Sequence, residues 1–242
     1  MKHDVSFKEK CPWPERGDEL FTSQGNPHLN ACLNFTHDKL NLYATGYRTA
    51  AQLLVSYVQD HGYHIDTLVY PIVFLYRHYL ELRLKELIRE GRRLIDHAEP
   101  FPKKHYLDYL WRLCRQVIEK ALPEESKNQE VLEIMDEYIK QFAELDDESF
   151  AFRYPMKKDE SPSLPENLRH INIEQFSRAM ERVANFLDAA STAISVYSGY
   201  KAEMDAECAE YVAEMEAEYA AEMRSIEAEI EKELQAYYDG CQ

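Results

Sequence analysis

The run from Tyr70 to Arg93 restricts the fold more than any other stretch of this chain, because strong helix formers, dense apolar residues and a regular charged stripe coincide there. Pro71 suits a first helical turn, where its missing N–H costs nothing, and Gly91 beside Arg89, Arg92 and Arg93 marks an end. The spacing therefore predicts a helix of about five turns. Arg77, Glu81, Lys85 and Arg89 recur every four residues, which puts them on one slowly drifting stripe where opposite charges can pair. Phe74, Leu84 and Ile88 flank the stripe, while Ile72, Leu75, Tyr76 and Tyr79 lie on the far side. A helix that is apolar on nearly every side is buried on nearly every side. The segment is expected to be the central helix of a bundle.

The 242 residues suffice for one good core, and one domain plus an extension is the simplest division. An aromatic content of 12%, with 17 Tyr, argues against disorder. The seven glycines never come closer together than Gly17 and Gly25, so a glycine-rich phosphate cradle is excluded. Five scattered cysteines, an odd number, fit reduced thiols better than a disulfide framework. The N-terminus lacks the apolar core of a signal peptide, and no apolar run is long enough to span a membrane. A soluble, cytoplasmic protein with no membrane association is expected.

The net charge of −16 is unevenly placed. Residues 201–242 hold 13 acidic and 3 basic residues, a net −10, which leaves −6 for residues 1–200. Residues 77–115 run the other way, with ten Lys/Arg against six Asp/Glu. Nucleic acid could approach only through such a local basic surface, since the overall field repels it.

Along the chain, residues 1–36 have little periodicity and read as an irregular arm, with Trp13, Phe21 and Phe35 as its anchors. Helices are expected at about 37–59, ended by Gly62, then over the central run, at about 105–121 and at about 127–145. Residues 146–171 form the longest break, where Pro155, Pro162 and Pro165 forbid a continuous helix. A last helix is expected from Asn172, whose side chain suits a helix start. Beyond Gly199, apolar residues at Met204, Cys208, Tyr211, Met215, Tyr219, Met223, Ile226, Ile230 and Leu234 step by three or four through a Glu-rich, strongly helical background. The expected fold is all-α: an up-and-down bundle over 37–199 with a long C-terminal helix, 200–242, extending as a coiled-coil-like arm.

Chemistry-bearing groups are few. His61 and His64 have no matching ligands at metal spacing, and no metal or cofactor is expected. No Ser sits in a nucleophile elbow, and Cys114 falls on an apolar helix face, where packing is its expected role. Three elements remain: the stripe Arg77, Glu81 and Lys85; the pair His105 and Asp108; and the loop Arg153, Tyr154 and Pro155. A Glu and a Lys on an otherwise apolar helix need buried partners. Arg153 is the expected partner of Glu81, fastening the 146–171 loop over the bundle and bringing Lys85 and His105 nearby.

As an ordered set, Glu81-Leu82-Arg83-Leu84-Lys85 on an apolar helix, then His105 with Asp108 and Leu110, then Arg153-Tyr154-Pro155 before a final helix, resembles the HEPN-type helical domains over about residues 40–198. The resemblance implies an up-and-down bundle, commonly a homodimer, found in bacterial defence and toxin–antitoxin settings. It also implies that many members are metal-independent ribonucleases with an Arg, a spacer of four to six residues and a His near the start of the last helix. Here Arg169 is followed directly by His170, which departs from that pattern.

Three functional readings follow. The leading one is a non-catalytic HEPN-like bundle acting by association, as a dimer or through a partner docked on residues 200–238. The second is a ribonuclease using Arg169, His170 and Arg153. The third is a nucleotide or small-molecule sensor with a basic surface around Arg77, Lys85, Arg92 and Arg153.

Overall fold

The computed structural model describes residues 13–14, 16–124, 128–146 and 148–239. The chain divides into two compact units, Met1–His37 and Asp38–Gln242. Among its described residues the first has one short 3-10 turn, Pro27–Leu29, in which Asn26 accepts from the His28 N–H. None of its described residues is buried; Trp13, Phe21 and Phe35 are all exposed.

The second unit is an all-α bundle of five helices: α1 (Lys39–His61), α2 (Ile65–Leu94), α3 (Leu107–Ala121), α4 (Gln129–Asp146) and α5 (Ile173–Asp239). The Asp38 carboxylate opens α1 by accepting from the Asn41 N–H at 3.2 Å. Gly62, at φ +67°, closes it in the left-handed conformation that glycine adopts without a Cβ penalty. Three residues later α2 begins, so the two helices run back along one another.

Helix α2 is the centre. It packs against α1, α3 and α5, and from Val73 to Arg92 buried positions occur on every side of it. Its limits differ from the sequence expectation at both ends. It starts at Ile65, which makes Pro71 its seventh residue and leaves the Thr67 carbonyl without its usual helical donor. Thr67 is exposed, so water can meet that carbonyl and the proline does not break the helix. At the other end Gly91 lies inside the last turn, and packing explains it better than termination. A Cβ built there would stand 2.3 Å from Val117 Cγ1 and 3.2 Å from Ile194 Cδ1, so the missing side chain lets α3 and α5 close on α2.

The remaining helices are amphipathic and bury one stripe each. Leu107, Leu110, Trp111, Cys114, Val117, Ile118 and Ala121 form that stripe on α3. Trp111 Nε1 donates to Asp136 Oδ1 at 2.6 Å and ties α3 to α4. The Asn172 side chain accepts from the Gln175 N–H at 2.9 Å and starts α5. Its first half buries Ile173, Met180, Val183, Ala184, Leu187, Ala190 and Ile194. Gly199 does not interrupt the helix, which runs on as one 67-residue element. From Ala202 to Ala236 every residue is exposed.

Gly91 gives a test of the packing. Alanine in a helix interior is worth about 1 kcal/mol over glycine, whereas overpacking a filled core costs about 1–3 kcal/mol. Contact at 2.3 Å with a short, branched core side chain makes the second effect larger. Gly91→Ala is expected to lower stability in urea denaturation; a gain would show that the helices do not meet so closely there.

Candidate functional site

The most unusual feature of α2 is a set of charges inside it. Arg77 is fully buried, and Glu81 and Lys85 are nearly so. They share one face because they are four residues apart, and they bond accordingly: Arg77 Nη1 to Glu81 Oε2 at 2.6 Å, and Lys85 Nζ to Glu81 Oε1 at 2.9 Å. His105, on the segment entering α3, adds Nδ1 at 2.6 Å from Glu81 Oε1. Arg77 continues outward, with Nη2 donating to the His105 carbonyl at 2.7 Å and Nε to the Asp146 carbonyl at 3.4 Å. One guanidinium thus joins α2, the entry to α3 and the end of α4.

Burial alone pushes the Glu81 pKa up, but hydrogen bonds from Lys85 and His105 and the charges of Lys85 and Arg77 outweigh it and hold the carboxyl below its ordinary 4.5. One turn away, His78 goes the other way. Burial lowers its pKa, Arg77, Lys85 and Arg153 push in the same direction, and Glu81 opposes them. A neutral His78 ring stacks on Phe74 and meets Tyr47 edge-on.

Above Glu81 opens a cleft of about 460 Å³, lined by Phe74, His78, Glu81, Lys104, His105, Tyr106, Glu148, Ser149 and Arg153. The structure brings Glu81, His105 and Arg153 to this one place, but it does not pair Glu81 with Arg153. Both Glu81 oxygens are already taken by Arg77, Lys85 and His105. Arg153 instead donates from Nε to the Ser149 carbonyl of its own loop and lies over Phe74 and Tyr154. Tyr154 is half exposed and stacks on Phe150. Asp108 turns outward and pairs with Arg112 at 3.1 Å, away from Glu81.

Arg169 and His170 line a different cleft, with Tyr70, Phe152 and Asp66. Arg153 is not among its walls and lines the cleft above Glu81 instead. The basic surface expected around Arg77, Lys85, Arg92 and Arg153 is also reduced. Arg77 and Lys85 are inside, and Arg92 is buried against Glu99 and the Pro100 carbonyl. Only Arg153 of the four is exposed.

A second polar network escaped the sequence reading. Arg48 of α1 pairs with Glu181 and Asp188 of α5. Arg83 pairs with Asp188 and Glu86, each at 3.1 Å, and donates to Asn41 Oδ1 at 2.9 Å. Tyr76 donates to Glu181 at 2.9 Å, and Ser191 to Glu86 at 2.9 Å. The available signal was the spacing of Glu181, Asn185 and Asp188, a polar stripe on an otherwise core-facing part of α5. These groups fasten α1, α2 and α5 together.

No group of His, Cys, Asp and Glu fit to hold a metal occurs among the described residues. His61 stacks on Tyr57, with Nδ1 2.9 Å from the Tyr57 carbonyl. Cys114 is fully buried, and burial, with Glu86 adding to it, pushes its thiol pKa well above the ordinary value. No described helix is long and apolar enough to cross a membrane.

No protein-family model, curated protein or solved structure matches this chain.

The other surface feature is the exposed half of α5. Met204, Tyr211, Met215, Tyr219, Met223, Ile226, Ile230 and Leu234 are all exposed along it. They cover a length of about 45 Å at the helical rise. A free apolar stripe of that extent is characteristic of a contact surface.

Glu81 carries the prediction for this site. Removing it leaves Arg77 and Lys85 buried without their carboxylate, so Glu81→Ala is expected to cost about 3–5 kcal/mol. Arg153→Ala is expected to cost about 1 kcal/mol or less, because it breaks no ion pair with a described residue. Because the folded pKa of Glu81 is depressed, its contribution is complete above pH 4.5 and is lost as pH falls through the lower folded value. Urea denaturation of parent and Glu81→Gln across that range checks the sign: the variant should lack this part of the acid destabilisation.

Proposed function

We propose that this chain is a HEPN-like bundle that acts by association, and that the exposed half of α5 docks a partner bearing a positively charged amphipathic helix. The observation that carries this reading is the apolar seam from Met204 to Leu234, exposed along a continuous helix. The order of motifs from Glu81 to Arg153 supports the family, which points to a bacterial defence or toxin–antitoxin setting and to a dimeric bundle.

Charge selects the occupant of the seam. With 13 acidic and 3 basic residues over 201–242, two copies of the arm would bring like charges together along their whole length. A helix with Lys or Arg beside its own apolar stripe would gain from every turn. The contact should therefore weaken as salt rises.

A synthetic helix with Leu at its core positions and Lys at its flanks is a suitable probe. The full chain is expected to bind it saturably. The triple variant Met215→Gln, Ile226→Gln, Ile230→Gln keeps the charge and should lose at least about tenfold in affinity, as three apolar contacts are removed. Equal binding by parent and variant would reduce the effect to charge alone and sink the seam. Light scattering of the chain by itself gives the other arm of the test: a larger mass that falls in the same variant would mean that the seam pairs with itself. The reading also expects no cleavage of generic single-stranded RNA; turnover lost in His170→Ala would move the protein to the ribonuclease class.

A further inference from the structure

We infer that the cleft above Glu81 binds a small phosphate monoester, with the phosphoryl group held by Arg153 and Lys104 and the organic part resting on Phe74 and Tyr106. The site is separate from the α5 seam and does not depend on the association proposed for it.

Charge is the first support. Among the cleft and the groups directly beneath it, Arg77, Lys85, Lys104 and Arg153 face two carboxylates, Glu81 and Glu148. The rim therefore carries more cations than carboxylates, the complement of a phosphoryl group. Arg77 and Lys85 are committed to Glu81, so the excess resides on Arg153 and Lys104 at the rim.

Donor geometry is the second. Arg153 uses Nε on the Ser149 carbonyl, which fixes the guanidinium and leaves both terminal nitrogens without a hydrogen bond to a described residue. Lys104 forms no ion pair with a described residue; its ammonium lies 4.9 Å from the centre of the Tyr109 ring. His105 turns Nδ1 inward to Glu81 and lines the cleft beside them. The His105 side chain is 67% exposed while its carboxylate partner is 4% exposed, which describes a ring anchored on one edge and available on the other. Arg153 and Lys104 offer more hydrogen-bond donors than the two oxygens of a carboxylate can use. A tetrahedral phosphoryl group with three terminal oxygens matches them, and a guanidinium fork is suited to it.

Size and walls give the third. A cleft of about 460 Å³ is much larger than an inorganic anion and falls in the range of small-molecule sites. Phe74 and Tyr106 supply flat apolar walls, and the neutral His78 stacked behind Phe74 extends that surface. An ester with a compact, flat organic group fills the space that phosphate alone would leave to water.

Titration calorimetry of the full chain with phenyl phosphate, inorganic phosphate and benzoate tests each part. Phenyl phosphate is expected to bind saturably and about tenfold or more tighter than either of the others, with His105 ring resonances shifting on binding. Arg153→Ala and Lys104→Ala should each lose about tenfold, the effect of one charged hydrogen bond. Arg153→Lys should recover part of that loss. Both residues are exposed, so these variants should melt like the parent. Arg178→Ala, which removes an exposed cation paired with Glu174, should change nothing. Absence of saturable binding at millimolar phenyl phosphate overturns the site. So does unchanged affinity in both alanine variants, and equal affinity for phosphate and phenyl phosphate overturns the monoester assignment.

Discussion

Two cations buried with one carboxylate between them set the terms on which this bundle closes. Arg77, Glu81 and Lys85 would each be prohibitively costly alone, and their pairing in one helix makes burial possible without waiting for a distant partner. Well-packed apolar side chains could give equal stability at such a position. What the charged set adds is direction. Arg77 can satisfy its donors only if the His105 carbonyl and the Asp146 carbonyl arrive where they do, so the entry to α3 and the end of α4 are registered against α2 by the same group.

The second network works by the same physics on the opposite faces. Arg48, Arg83, Glu181 and Asp188 join α1, α2 and α5, and neighbouring Tyr76 and Tyr79 carry hydroxyls into it. Helix α2 is therefore held by apolar packing along its length and by two ionic clamps that differ in one respect. The clamp to α1 and α5 uses its charges on one another. The clamp at Glu81 sits under a cleft whose rim adds Lys104 and Arg153.

Much of the architecture was legible because apolar spacing reports directly on which face of a helix is buried. The five helices, the cap at Gly62 and the unbroken passage through Gly199 all follow from local pattern. The misreadings arose where local signals have two meanings. Pro71 reads as a helix start, yet an exposed carbonyl one turn earlier lets it sit inside. Gly91 reads as a stop, yet it is a point of close approach that only α3 and α5 reveal. Glu81 was correctly read as needing buried partners, but spacing could not rank a distant Arg153 below His105. The choice depends on where the 148–172 loop turns its donors, and Arg153 spends one on its own backbone. The Arg48 to Asp188 clamp was hidden for a related reason: its members are dispersed over three helices and only the α5 stripe has a period.

The single helix that supplies both core and arm has a thermodynamic consequence. A peptide of this length in isolation must first fix a turn with little return, and its helicity would be partial. Here that initiating turn already exists, because Ile173 to Ile194 are clamped in the core and the hydrogen-bond ladder simply continues outward. The protruding half is thus helical by inheritance. When the bundle opens, the template disappears and the seam loses its alignment with it. A surface of this kind reports on the integrity of the domain that carries it: only an intact bundle displays all nine seam residues in line.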